Sequence, residues 1–175
     1  MSLENIKQAL PDYAKDLRIN LDNVLNPENS VGLTEKQIFG SSLSVAMAVK
    51  NSFLTKNLLQ VSQNILSEQD IKGIKTAVSL MGMNNVYYRS LHLAEEEDLA
   101  KRPAGLRMTM MLKHGIAQND FEIYSLAVSC LSGCGMCIKS HSSKLKKEGL
   151  SLSAIQSVIK ISAVIQGCNQ SLNLD

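Results

Sequence analysis

"FEIYSLAVSCLSGCGMC", residues Phe121 to Cys137, decides the fold. Read as a strand, its first half would deliver the paired cysteines to the head of a βα unit, and the chain would be α/β. Read as a helix, it places the same pair at a turn between helices. Strict apolar/polar alternation, the mark of a half-buried strand, is missing here and hard to find elsewhere in the chain. Ala, Leu, Ser, Met, Lys and Gln dominate, Trp is absent, and Pro occurs only at Pro11, Pro27 and Pro103. The stretches 28–102 and 104–175 therefore run without a helix breaker. The segment reads as helix, and the whole chain as all-α, a compact multi-helix fold.

Outward from that segment, helix boundaries are readable. "TEKQ" (Thr34 to Gln37) is a capping-box pattern that opens a helix running to about Asn51. "SEQD" (Ser67 to Asp70) opens another, in which Ile71, Ile74, Val78 and Met81 form one apolar stripe. "NPENSVG" (Asn26 to Gly32) is a loop, Gly149 ends a helix, and "SLSAIQSVIKISAVIQG" supplies the last one. "EEEDLAKRPAG" (Glu95 to Gly105) reads as the joint between two halves, its acidic run a solvated helix end.

A faint repeat supports that division. "IKTAVSLMGMNN" (Ile74 to Asn85) matches "IKISAVIQGCNQ" (Ile159 to Gln170) at an offset of 85, and the same offset pairs "FGSSLSV" (Phe39 to Val45) with "YSLAVSC" (Tyr124 to Cys130). Two segments agreeing on one offset point to a duplicated helical unit, with halves at about 30–95 and 115–172 inside a single domain of residues 1–175. Only the second half carries the thiols; Val49 and Ser52 occupy the corresponding positions of the first.

At 175 residues the chain can bury a core without disulfide staples. A formal net charge of +2 gives no reason to expect nucleic acid or an anionic membrane as partner. "MSLENIKQAL" is amphipathic and lacks the apolar centre of a signal peptide, and no apolar run approaches a membrane span. The expected compartment is the cytoplasm, where clustered thiols serve catalysis or metal binding more often than structure.

The thiols are clustered. Cys130, Cys134 and Cys137, with His141 close behind, fall in a dozen positions of a chain with four cysteines and three histidines. Gly133 and Gly135 flank Cys134 and suit a turn that leads into a helix. In that helix Cys134, Cys137 and His141 would share a face, spaced by about a turn each. Thiols at i and i+3 can close a disulfide, and a helix N-terminus favours thiolate. A histidine one turn behind can take or return a proton. A zinc site would need a second half, and His92, His114 and Cys168 are too scattered to supply one, so no metal is expected. A structural disulfide fits the compartment poorly, which leaves redox chemistry. "CGMC" is close to the CGPC of thioredoxin, but there the motif follows a strand, so only the chemistry transfers.

The remaining chemistry-bearing residues read more plainly. Cys130 and Cys168 are small buried hydrophobes, and His92 and His114 surface or loop histidines. The eight methionines, including those of "RMTMML", are core filler. Lys139, Lys144, Lys146 and Lys147 suit a helix C-terminus, with a second role in stabilising thiolate. Glu122 reads as a carboxylate at a helix N-terminus; it stands twelve residues before Cys134, roughly 18 Å along a continuous helix. It could serve the cysteines only if the chain turned back.

Taken together, "LPDYAKDLRINLDNVL", "MGMNNVYYR" (Met81 to Arg89), "RPAGLRM" (Arg102 to Met108) and "NDFEIYSLAVSCLSGCGMCIKSH" resemble, in order, the alkyl hydroperoxide reductase AhpD family within the carboxymuconolactone-decarboxylase-like superfamily. The pattern E-x(11)-C-x-x-C-x-x-x-H is far more specific than CxxC alone. The resemblance implies an all-helical homotrimer that reduces hydroperoxides with thiols and holds no bound cofactor. Its electrons would come from the lipoyl group of a lipoylated 2-oxoacid dehydrogenase component, through dihydrolipoamide dehydrogenase, and could pass on to the peroxiredoxin AhpC. Cys137 would attack the peroxide, Cys134 would resolve the product as a disulfide, and His141 with Glu122 would relay protons. Many relatives carry a histidine just before the second cysteine; here it is Met136, so His141 carries more of that work. Two rival readings are a dithiol adaptor that only passes electrons to a peroxiredoxin, and a lactone decarboxylase, against which the CxxC pair argues.

Overall fold

In the computed structural model, which describes residues 2–174, every regular element among those residues is helical. Helix α1 (Ser2–Ala9) and a 3-10 turn (Asp12–Ala14) lead into α2 (Lys15–Leu25). Then come α3 (Glu35–Ala48), α4 (Ser52–Val61) and the long α5 (Glu68–Ala94). The short α6 (Glu97–Ala100) and a second 3-10 turn (Thr109–Met111) precede α7 (Gln118–Ser132), α8 (Gly135–Lys147) and α9 (Leu152–Leu172).

Both expected capping boxes form. Thr34 accepts from the Gln37 N–H at 3.2 Å while Gln37 returns a bond to the Thr34 N–H at 3.0 Å, and Ser67 and Asp70 do the same at α5. Helix α3 stops at Ala48, a few residues before the expected end, because Asn51 is engaged as the cap of α4: its side chain accepts from the Leu54 N–H. The acidic run closes α5 with Glu95 in a left-handed conformation and lies exposed, as a solvated end should.

The decisive segment is α7, and it is the central helix. Residues Asp120 to Ser129 are all buried, since α3, α5, α8 and α9 pack around it. The approach of α3 is close: a side chain on Gly40 would overlap the Tyr124 ring, whose hydroxyl donates to the Lys36 carbonyl at 3.3 Å. Lys36 ties three helices, reaching Asp70 at 2.6 Å and Asp120 at 3.1 Å. The apolar stripe of α5 faces this core, with Ile74 and Met81 buried and Ile71 and Val78 packed against it. Helices α3, α4 and α5 stand close to the offset of 85 from α7, α8 and α9, so most positions paired at that offset fall on corresponding helices, although Val49 ends α3 whereas its counterpart Cys134 opens α8.

Candidate active site

The site begins where α7 ends. Gly133 adopts φ +65°, a left-handed conformation that glycine takes without steric cost, and its N–H donates to the Cys130 carbonyl at 3.1 Å while the Cys134 N–H donates to the Ser129 carbonyl at 3.3 Å. This pair of bonds terminates α7 and reverses the chain at once. From α5, Arg89 Nη1 donates to the Ser132 carbonyl at 2.8 Å and Asn85 to the Ser132 hydroxyl at 3.1 Å, holding the reversal in place.

Cys134 is then the N-cap of α8: its Sγ accepts from the Cys137 N–H at 3.4 Å. The two cysteines are joined as a disulfide, with Cα atoms 5.3 Å apart. Their exposures differ in kind. Cys134 is 0% exposed, whereas Cys137 is 7% exposed and lines a cavity of about 260 Å³. Cys130 and Cys168 lie outside the pair, and burial pushes both thiols up to about 11, which suppresses thiolate.

Because α8 folds back beside α7, Glu122 meets His141. The imidazole Nδ1 lies 2.7 Å from Glu122 Oε2, and both residues are buried. Glu122 is therefore no N-terminal carboxylate complementing a dipole. It sits in the second turn of α7, 2% exposed, and is matched by side chains rather than by backbone. Its other oxygen, Oε1, takes Lys144 Nζ at 2.7 Å and Gln118 Nε2 at 2.8 Å. Burial raises its pKa, but the bonds from His141, Lys144 and Gln118 outweigh that and hold it at about 2. An ionised, acceptor-only carboxylate orients the imidazole with its proton on Nδ1, which leaves Nε2 as the basic nitrogen of the neutral ring.

The cavity in front of Cys137 and His141 is mostly apolar, with Asn84 and Ser140 as polar members of its wall. Met81 and Tyr88 come from α5, Met108 and Met111 from the segment before α7, and Met136 from α8. The reading of the methionines as core filler needs correcting here: four of them wall the cavity beside the disulfide, while Met1 lies outside the described residues. Flexible thioethers suit a surface that must accept varied hydrocarbon groups. Asn84 also lines the wall, with its Nδ2 3.7 Å from Met111 Sδ.

His92 is exposed, as expected, but His114 is not a surface histidine. It is 5% exposed and stacks on Phe121 with ring centroids 4.1 Å apart. Gln118 thus went unread in the sequence, while Lys144 was read as a helix-end cation near the thiols and His114 as a surface or loop residue, neither as a partner in the Glu122 network. A signal existed for two of them, since Gln118 stands one turn before Glu122 on α7 and Lys144 one turn after His141 on α8.

A family model for the carboxymuconolactone decarboxylase family matches residues 97–174, which hold all of this site except the contribution of α5. Similar proteins extend the likeness to nearly the full chain. One is the alkyl hydroperoxide reductase AhpD of Coxiella burnetii (strain RSA 493 / Nine Mile phase I), 45% identical over 168 residues, 96% of this chain and 95% of that protein. Proteins of the same name from Gluconacetobacter diazotrophicus and Solibacter usitatus are each 38% identical and cover 99% and 100% of this chain, and 93% and 97% of their own lengths. The chain belongs to the alkyl hydroperoxide reductase AhpD family. As an AhpD-family protein it is all-α, in agreement with the reading of Phe121 to Cys137 as a helix and turn. Met136 is 46% exposed and lines the cavity, and His141 is the imidazole that shares this cavity with Cys137.

Proposed function

We propose that this protein is a thiol-dependent alkyl hydroperoxide reductase in which Cys137 is the attacking thiol. One observation carries the reading: Cys137 and His141 line the same mostly apolar cavity, His141 is held from behind by an ionised buried carboxylate, and Cys134 is already bonded to Cys137 from the closed side. His141 Nε2 takes the proton of the Cys137 thiol. The thiolate attacks the terminal oxygen of the hydroperoxide, the O–O bond breaks, and the alkoxide leaves as an alcohol with the proton returned by His141. Cys137 becomes a sulfenic acid. The Cys134 thiol condenses with it, releasing water and forming the disulfide. An incoming dithiol then attacks Cys137 and restores both thiols as it is itself oxidised.

We assign that dithiol to a lipoyl group on a 2-oxoacid dehydrogenase component, kept reduced by dihydrolipoamide dehydrogenase, with AhpC as an electron acceptor. The same reading carries a homotrimer in the cytoplasm. The cavity favours organic over hydrogen peroxide, because its thioether walls reward a hydrocarbon group and offer little to water-like ligands.

A stopped-flow experiment tests the central claim. Reduced protein mixed with tert-butyl hydroperoxide should lose two thiols and gain one Cys134–Cys137 bridge in a fast stoichiometric phase. Slow oxidation by the hydroperoxide, combined with rapid exchange with oxidised AhpC, would replace the peroxidase by a dithiol adaptor.

A further inference from the structure

Behind Glu122 the polar chain continues, away from Cys137, to His114. This residue sits in the loop between the second 3-10 turn and α7, its ring against Phe121. His114 Nδ1 accepts from the Ile116 N–H at 3.3 Å, and His114 Nε2 lies 3.0 Å from Gln118 Oε1. Gln118 Nε2 in turn donates to Glu122 Oε1.

Only one placement of hydrogens satisfies every link. A backbone N–H can only donate, so His114 Nδ1 is bare and the proton of the neutral ring is on Nε2. That proton goes to Gln118 Oε1, which fixes the amide with its NH₂ toward Glu122. From the opposite end, an ionised carboxylate can only accept, and so demands that same NH₂. The two ends of the chain, set by a main-chain donor and by a carboxylate, agree.

We propose that Gln118, itself oriented by His114, is a positioning residue that fixes the Glu122 carboxylate and, through it, the base nitrogen of His141. The inference rests on the hydroperoxide-reductase reading. Charge compensation does not explain Gln118, because Lys144 already supplies a cation to Glu122 Oε1. The Lys144 side chain is 44% exposed and on a long flexible stem, so it neutralises without fixing an angle. Gln118 is neutral, shares α7 with Glu122 and is tied at its far end to a stacked ring. What it adds is direction. With Oε1 pinned, Oε2 faces Nδ1 of His141, and Nε2 is held as the acceptor. Outer partners of this kind orient catalytic imidazoles in many sites.

The test uses the full-length reduced protein and two reactions of Cys137: alkylation by iodoacetamide, which reads thiolate whatever the natural oxidant, and single-turnover oxidation by tert-butyl hydroperoxide. Gln118→Met keeps the volume and removes the donor. It should slow both reactions about 10-fold near neutral pH, the size typical for loss of an orienting partner, with the gap closing at alkaline pH. His114→Phe keeps the stack on Phe121 and should give a smaller loss in the same direction, whereas His114→Gln, whose amide can donate to Gln118, should recover it. The ¹⁵N shifts of His141 should report Nδ1–H in the wild type. Alkylation profiles of Gln118→Met that superpose on the wild type would overturn the proposal, as would an Nε2–H tautomer of His141. Should Gln118→Met fail to fold, superposed profiles for His114→Phe and wild type would overturn it equally. Fast alkylation with no reaction toward the hydroperoxide would sink the peroxidase reading and leave the positioning role standing.

Discussion

Helices α3 to α5 and α7 to α9 meet the same structural demands with different atoms. Asn51 opens α4 with an amide oxygen on the Leu54 N–H at 2.9 Å, and Cys134 opens α8 with a sulfur on the Cys137 N–H at 3.4 Å. Gln37 stands at the offset of 85 from Glu122; one completes a capping box and bonds Asp120 at 2.8 Å, the other anchors an imidazole and a lysine. Lys56 corresponds to His141, and Val49 and Ser52 to the two cysteines. The first set therefore shows what this arrangement of helices needs in order to stand. The second set differs at these positions by a sulfur cap in place of an amide and by a carboxylate, Glu122, buried against an imidazole where the first set has Gln37.

The largest expected effect concerns the thiols. Cys137→Ser should reduce peroxide turnover by roughly 10³-fold or more, since no covalent step remains. The double variant Val49→Cys with Ser52→Cys should gain none, because Val49 is not the cap of α4. Peroxide consumption and disulfide mapping by mass check both, and activity in the grafted pair would dissolve the distinction between the two sets.

Next comes the carboxylate. Glu122→Gln should lower the rate near neutral pH by about 10²-fold, and its effect should be non-additive with His141→Gln because the two act as a unit. The reciprocal change, Gln37→Glu, should leave the rate unaltered and instead cost about 1–2 kcal/mol of stability, by facing a carboxylate to Asp120. Single-turnover rates and urea unfolding separate these outcomes.

The same carboxylate shapes acid sensitivity. The folded value of Glu122 is depressed from 4.5 to about 2, so its contribution to stability is complete above the ordinary value and is lost as pH falls toward the folded one. Urea midpoints of the wild type should decline across that window, and those of Glu122→Gln should decline less. Parallel curves would remove Glu122 as a source of the acid limb.

The smallest effect is at the caps. Asn51→Ala should cost about 1 kcal/mol, whereas Cys134→Ser, measured in reductant, should gain a few tenths by exchanging sulfur for a hydroxyl oxygen. Thermal unfolding of the reduced proteins decides whether Cys134 is indeed the poorer cap.

Legibility in the sequence followed the range of each interaction. Thr34 with Gln37, Ser67 with Asp70, Gly133 and the cysteine pair act within a turn or two, so spacing alone reveals them. His141 was legible for the same reason, one turn beyond Cys137. Glu122 was legible only through the family resemblance and not from spacing, because its contact depends on the reversal at Gly133 and on the register of α8 against α7. His114 was hidden by its loop: nothing near it in the chain announces that Phe121 and Gln118 will enclose it. The methionine wall was invisible because it draws on three separate parts of the chain that only packing brings together.

The unequal exposure of the two sulfurs has a kinetic consequence. Cys134 is sealed and Cys137 faces the cavity, so under the proposed function the oxidising and the reducing substrate use one opening in turn. Under the proposed function steady-state turnover is then a double displacement without a ternary complex. Double-reciprocal plots at several dithiol concentrations run parallel, and each substrate in excess inhibits by occupying the form of the enzyme that awaits the other.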